Sequence, residues 1–319
     1  MRIPRALFGL PVLAALACSL PALAQEDEAE AARAYARDNT VFTLYHELGH
    51  LFVDRFSLPV LAREEDAVDN LATLLALEDY DKSDDGGVLG YAVYGWELAV
   101  NEDGEDAPDA STLYDVHSLN AQRAFTMVCL LVGKDKAVFG EAATSWGMDD
   151  ERQDGCAEDY AQAKASWDMV LKPHRVAQAG PGASIEVVYE PASAGTAGAK
   201  QILRSGKVLE RFAARMEAEY SMPEDVVLKA ADCGTDNAYY DSSEGSVTVC
   251  YELVDYYVNQ YMQAPGEEVT DEEASDALAE DDVEDAPDAG EDAFGKDGFD
   301  AQHHFSRGAV PNRPLSLDK

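Results

Sequence analysis

Apolar side chains recur at helical spacing in the first half of the chain. One such segment spans residues 40–55, and its apolar positions are Val41, Phe42, Tyr45, Leu48 and Phe52. Positions three or four residues apart share one face of an α-helix, so the segment is predicted to be a helix with a buried face. Asp38 or Asn39 can cap its start, and Leu58-Pro59 stops it soon after Arg55, because the residue before a proline avoids helical geometry.

Similar patterns predict the remaining elements. Further helices are predicted near residues 63–78, 116–132, 157–171, 200–220 and 253–261. Strands are predicted at residues 185–189, 226–228 and 247–249. The chain is therefore predicted to be α+β and mainly helical, with one domain over residues 25–262. A loop at residues 179–182 divides this domain into lobes of about 38–175 and 183–262, and the smaller, C-terminal lobe contains the strands.

The N-terminus has the pattern of a secretory signal. Residues 1–24 begin with basic residues, continue with an apolar run and end in Ala22-Leu23-Ala24, a typical cleavage site. A rival interpretation makes Cys18 a lipoprotein acylation site, but Ala15-Leu16-Ala17 is a poor match to the leucine-rich residues expected before it. Export to the periplasm or the exterior is therefore expected. No apolar stretch reaches the length of about 20 residues that a membrane span needs.

Acidic residues are concentrated towards the C-terminus. The formal net charge is −38, and residues 265–300 hold 16 Asp or Glu against Lys296 alone. Such a segment has too few large apolar side chains to form a core, so residues 263–319 are predicted to be an acidic disordered tail. The negative charge also makes nucleic acid and anionic lipid poor partners.

Four cysteines remain after the signal: Cys129, Cys156, Cys233 and Cys250. An even number in an exported chain indicates two disulfides. The local pairs Cys129–Cys156 and Cys233–Cys250 are preferred, although four cysteines allow three connectivities. A catalytic thiol is disfavoured, because Cys129 lies among apolar residues that would raise its pKa.

The segment His46-Glu47-Leu48-Gly49-His50 carries the candidate chemistry. Residues four apart share a helix face, so His46 and His50 can bind one metal ion, and Glu47 lies close enough to take a proton from a metal-activated water. This is the zinc-peptidase pattern H-E-x-x-H. Three fixed positions are a modest code, and two surface histidines that bind nothing are the alternative. Gly49 costs helix propensity, which a close approach to the metal or tight helix packing would explain.

A zinc ion held by two histidines needs a third protein ligand beside an open position. Glu65, on the second predicted helix, is the candidate. Asp69 lies four residues further on the same face and can accept the far N–H of a ligating histidine. Glu64 and Asp66 are fallback ligands, about 100° to either side of Glu65. The alternative is an acidic first turn that the helix dipole favours.

These segments resemble a family of secreted bacterial metallopeptidases that is named only as a domain of unknown function. The resemblance covers roughly residues 38–257, and its segments are 45–50, 58–61, 63–69, 115–119, 122–123, 129, 233–234, 237–241 and 250–253. The spacing of Glu65 and Asp69 also resembles the glutamate zincins, the group to which thermolysin belongs. The resemblance implies Zn²⁺ at His46, His50 and Glu65, with Glu47 as general base. It implies a peptide or protein substrate without identifying one.

Zinc peptidases also need a donor for the oxyanion that develops on the scissile carbonyl. His117 is the candidate, with Asp115 close enough in sequence to orient it, and Tyr114 is the alternative donor. In the competing interpretation, His117 lies at the surface while Asp115 or Ser118 caps a helix.

Two hypotheses on function follow. The first is an exported zinc metallopeptidase. It would be a rearranged zincin if residues 226–250 supply the sheet edge beside the metal helix, and chance similarity is the preferred alternative to that rearrangement. The second is a catalytically silent, zincin-like binding protein with a structural metal site. Glu47 favours the enzyme, because a purely structural site needs only the ligands. The sequence does not specify an oligomeric state.

Overall fold

The computed structural model describes residues 20–80, 87–103 and 113–264. Most of the predicted signal, including Cys18, and nearly all of the predicted acidic tail lie outside these residues. The helices are α1 (Leu20–Arg55), α2 (Glu64–Tyr80), α3 (Gly87–Asp103), α4 (Asn120–Lys134), α5 (Lys136–Ser145), α6 (Asp150–Leu171), a 3₁₀ turn (Lys172–His174), α7 (Val176–Ala179), α8 (Ala197–Gly206), α9 (Val208–Glu219) and α10 (Tyr251–Gln263). The strands are β1 (Ile185–Tyr189), β2 (Val226–Ala231), β3 (Ala238–Asp241) and β4 (Ser246–Cys250). The mainly helical α+β class is confirmed.

Helix α1 is the central element, because it packs against α2 and α3 as well as against α10 and the sheet. Its apolar residues Leu44, Leu48, Leu51 and Phe52 are buried. One continuous cluster of buried apolar side chains extends from Ala36 in α1 to α10, so both predicted lobes share a core. No helix of the described residues is long and apolar enough to cross a membrane.

The predicted start of α1 is wrong. Asp38 and Asn39 lie inside the helix and are buried, and the helix begins at Leu20. The Asn39 side-chain amide donates to the carbonyl of Tyr91 in α3, 3.2 Å away. A polar residue that links two helices has the same local sequence pattern as a cap, which explains the error.

Other predictions differ in detail. The helix predicted over residues 200–220 is two helices, α8 and α9, because Lys207 adopts a left-handed backbone conformation with φ 51°. Helices α3 and α5 and strand β3 were not predicted. The strand at residues 185–189 is confirmed at both ends, and helices α2, α4, α6 and α10 are confirmed with shifted ends.

The four strands form one mixed sheet in the order β1-β2-β4-β3. β1, β2 and β4 are parallel, whereas β3 is an antiparallel edge strand. The Cys250 N–H donates to the Asn237 carbonyl, so alternation along the antiparallel pair directs the backbone groups of Ala238 and Tyr240 away from β4. The β3 strand contacts α1, where the Tyr240 hydroxyl donates to Asp54 over 2.6 Å.

Both predicted disulfides are confirmed. Cys129–Cys156 joins α4 to α6, and Cys233–Cys250 joins the segment before β3 to the end of β4. The second bridge therefore links the segment that leads into the edge strand β3 to β4, the strand that pairs with β3.

Gly49 sets the distance between α1 and α2. A Cβ atom added to Gly49 would lie 3.2 Å from Val68 Cα and only 2.6 Å from Val68 Cβ, and the second distance is too short for a real contact. The two alternatives for this glycine therefore coincide: tight packing at Val68 is what brings α2, and with it Glu65, towards the histidines of α1.

We expect Gly49→Ala to lower the free energy of unfolding by about 1–3 kcal/mol, because the methyl group forces two packed helices apart. Gly90→Ala in α3 is the matched control, since a Cβ there meets nothing within 4 Å. That variant should gain about 0.4–1 kcal/mol from the reduced entropy of the unfolded chain. Urea denaturation measures both, and equal effects of the two substitutions would contradict the close approach.

Candidate metal centre

Helices α1 and α2 bring His46, His50 and Glu65 together. The two Nε2 atoms of the histidines are 3.2 Å apart, and Glu65 Oε2 lies 3.2 Å from His46 Nε2 and 3.3 Å from His50 Nε2. The face shared by residues four apart on α1 supplies the imidazoles, and the first turn of α2 supplies the carboxylate.

These three atoms fit a zinc ion. Ligand atoms about 2.0–2.1 Å from a tetrahedral zinc lie about 3.3–3.4 Å from one another, which matches the three separations. Glu65 Oε2 is also buried without an aligned hydrogen bond, although imidazole nitrogens surround it. A buried carboxylate oxygen left in this way is expected where a cation binds.

The outer nitrogen of each histidine is held by a carboxylate. His46 Nδ1 lies 2.8 Å from Asp69, as expected, and His50 Nδ1 lies 2.8 Å from Glu64. Such contacts fix the ring orientation and direct Nε2 towards a metal. Glu64 thus occupies an outer position instead of a ligand position. The other fallback ligand, Asp66, accepts a hydrogen bond from the Ser118 hydroxyl over 2.6 Å.

Arg123 of α4 was missed by the sequence analysis as a site residue. Its guanidinium donates two hydrogen bonds to Asp69, over 2.6 and 2.9 Å. The plane of the guanidinium stacks on Trp96, with 4.4 Å to the ring centroid. Burial alone would raise the pKa of Asp69, but the bonds from Arg123 and His46 outweigh it and lower that pKa. Only its place beside Gln122 in a segment resembling the family hinted at a role.

The pKa values of the site reflect this arrangement. Burial lowers the pKa of His46, but its contacts with Asp69 and Glu65 outweigh burial and raise the pKa to about 9. The pKa of Glu65 is raised by burial and lowered far more by contacts with His117, His46 and His50, so it falls well below its usual range. The imidazoles and the Glu65 carboxylate thus favour opposite charges in each other's presence.

Glu47 is buried beside the two histidines. Burial raises its pKa, while His46, His50 and a hydrogen bond from the Tyr240 backbone N–H oppose that shift. A carboxylate with a raised pKa is a stronger base, which is the property that a proton acceptor needs near neutral pH. The Tyr240 bond also places the outer edge of β3 directly beside Glu47, so the sheet edge lies next to the metal helix.

His117 lies in the segment before α4 and contacts the candidate ligand Glu65. Its Nε2 is 3.0 Å from Glu65 Oε2, and its Nδ1 is 3.1 Å from Asp115. The ligand atoms of His46, Glu65 and His117 all lie within 4.8 Å of one another, so His117 is a possible alternative ligand. Tyr114, the other donor considered, is 78% exposed.

Ring separations distinguish the two histidine pairs. Two imidazoles on one tetrahedral zinc, at bond lengths of about 2.0–2.1 Å, have ring centroids about 5 Å apart. The His46–His50 separation of 4.9 Å fits this value, whereas the His46–His117 separation of 6.2 Å would require a nearly linear arrangement. The geometry therefore favours His50 as a ligand and His117 as an outer donor.

A family model described as "Putative metallopeptidase" matches residues 16–171 and 189–282, which is most of the chain. The chain matches no curated protein and no solved structure. The groups of ligand-forming side chains in the described residues agree with the metal ion that this description implies.

We expect Arg123→Lys to weaken zinc binding by about 10–100-fold, because an ammonium group cannot hold Asp69 with two parallel hydrogen bonds. Competition with a chromophoric chelator measures the affinity. Arg152→Lys is the control, since Arg152 pairs with Asp159 at the exposed surface of α6. An unchanged zinc affinity in a folded Arg123→Lys protein would rule out this positioning role.

Proposed function

The chain belongs to this metallopeptidase family, and from that premise we propose that it is an exported zinc peptidase with Glu47 as general base. The observation that carries the proposal is the convergence of His46, His50 and Glu65 at zinc-ligand separations beside a buried glutamate. Two imidazoles and one carboxylate are a ligand set that suits zinc. When bound, zinc would polarise the scissile carbonyl and make a water more acidic.

Glu47 would take the proton of the attacking water and pass it to the leaving amine. Its buried carboxylate is held by the Tyr240 N–H, so it faces the reacting atoms without needing to reorganise. A structural metal site needs ligands and no such base, which is why the enzyme is favoured over a silent binding protein.

His117 would stabilise the oxyanion as a donor beside the ligands. Asp115 accepts hydrogen bonds from both the backbone N–H and the side chain of His117, which orients the ring with Nε2 towards the centre. The contact with Glu65 is the largest cause that raises the pKa of His117, so the ring is able to donate a proton or a hydrogen bond there.

The substrate backbone would pair with the outer edge of β3. The N–H and carbonyl of Ala238 and the carbonyl of Tyr240 point away from β4. The N–H of Tyr240 contacts Glu47. A peptide added here as a strand would bring its scissile bond between Glu47 and His117. This arrangement supports the rearranged-zincin hypothesis, with the sheet following the metal helix in the chain.

Export is supported by the signal-like N-terminus and by the two disulfides, which form in oxidising compartments.

We expect Glu47→Gln to bind zinc with unchanged affinity and to lose peptide hydrolysis, because the amide cannot accept the proton. Glu65→Ala should lose zinc itself. Metal analysis of the purified proteins and cleavage of a broad peptide library provide the two measurements. If the zinc-loaded wild type cleaves no member of the library, the silent binding protein is the better interpretation. Full zinc occupancy in Glu65→Ala would move the third ligand elsewhere.

We expect His117→Ala to lower kcat by about 10²–10³-fold with little change in zinc affinity, as for other oxyanion donors. Steady-state kinetics and chelator competition separate the two quantities. A large loss of zinc affinity would instead make His117 a ligand.

A further inference from the structure

Exposed apolar side chains recur in two loops that contact residues of the metal centre. Among the described residues, the large apolar side chains that are exposed are Leu61, Leu113, Tyr114, Val116, Met169, Tyr239 and Met262. The first four lie in just two loops, between α1 and α2 and before α4, and we call these four the apolar rim. Single exposed apolar residues are ordinary on protein surfaces, but a cluster of them marks a binding surface.

Polar contacts hold the two loops to each other and to the centre. The Arg63 guanidinium, two residues after Leu61, donates to the His117 carbonyl over 3.1 Å. Ser118 donates to Asp66 on α2, and His117 Nε2 contacts the proposed ligand Glu65. The exposed apolar side chains are therefore carried by anchored segments next to the proposed reacting position.

The charges around the apolar rim are mainly negative. Glu64 and Asp115 have side chains that are 41% and 55% exposed, and Asp66 is also close. These three carboxylates outnumber Arg63, the cation of the same loop, which donates to the His117 carbonyl. Within a chain of net charge −38, this surface would repel anionic lipid and acidic protein and attract basic groups.

We propose that the apolar rim binds a large apolar side chain of an extended basic peptide, in which Lys or Arg flanks the apolar residue. The proposal rests on the peptidase function proposed above and names its substrate class. β3 borders the site at Glu47, through the Tyr240 N–H, and the rim-bearing segment at residues 113–119 borders it at Glu65, through His117 Nε2. A peptide paired with β3 therefore passes the rim with the residues next to its scissile bond, and alternate side chains project from such a strand.

The test compares peptides that differ at one position and in their flanks. One set carries Phe or Ser next to the scissile bond, and each is made with Lys or Glu flanks. The wild type should prefer Phe, and Leu61→Ser combined with Val116→Ser should reduce that preference on the order of 10-fold in kcat/KM. Zinc content should not change. Met169→Ser is the matched control, because Met169 is 73% exposed on α6 and outside the rim.

Charge selectivity provides a second readout. Peptides with Lys flanks should be cleaved faster than those with Glu flanks, and the difference should shrink as salt rises to about 0.5 M, where charges are screened. A Phe preference that survives the double substitution, or equal rates for both flanks at low salt, would overturn the proposal.

Two further arms separate the remaining outcomes. Zinc-loaded Glu47→Gln protein is titrated with the same labelled peptides, and fluorescence anisotropy reports binding without cleavage. Rim-dependent binding of the Phe–Lys peptide together with no cleavage by the wild type would reject the peptidase and retain the substrate class. Rim-dependent sedimentation with neutral phosphatidylcholine vesicles, with an unchanged peptide preference, would make the rim a lipid-docking surface and reject the proposal.

Discussion

The contact between Gly49 on α1 and Val68 on α2 is the constraint on which the rest of the site depends. The absent side chain lets the two helices approach so closely that an added Cβ would lie 2.6 Å from Val68. At that separation the first turn of α2 delivers Glu65 to within 3.3 Å of both α1 imidazoles. A wider helix pair would leave the two histidines without their carboxylate, whatever the motif.

The charged groups at this contact are balanced in layers. Glu65 faces the imidazoles, Asp69 and Glu64 face their outer nitrogens, and Arg123 neutralises Asp69 while stacking on Trp96. Buried charges persist only when they are paired and hydrogen-bonded, and each charged group of the site has such a partner. The same layers fix the direction of each Nε2 lone pair, which is what metal binding needs.

Predictions from the sequence succeeded where the signal was local. Helical periodicity on two neighbouring segments predicts that His46, His50, Glu65 and Asp69 lie close together, and their roles stay predictions. The disulfides follow from the number and spacing of the cysteines. The predictions failed where the residue type indicates one structure and the surrounding fold imposes another. Asp38 and Asn39 are typical cap residues but lie inside a longer helix. Lys207 interrupts a helix that the neighbouring residues favour.

The sequence by itself determined the residue types, their helical phase and hence the candidate ligands, because periodicity acts over a few residues. Only the tertiary structure decided which groups complete the site. Arg123 meets Asp69 across 54 residues of chain, and β3 reaches Glu47 from the far end of the domain. The distances that distinguish His50, the proposed ligand, from His117, the proposed outer donor, also arise only in the folded chain. Such contacts depend on how whole elements pack, and no local pattern encodes that packing.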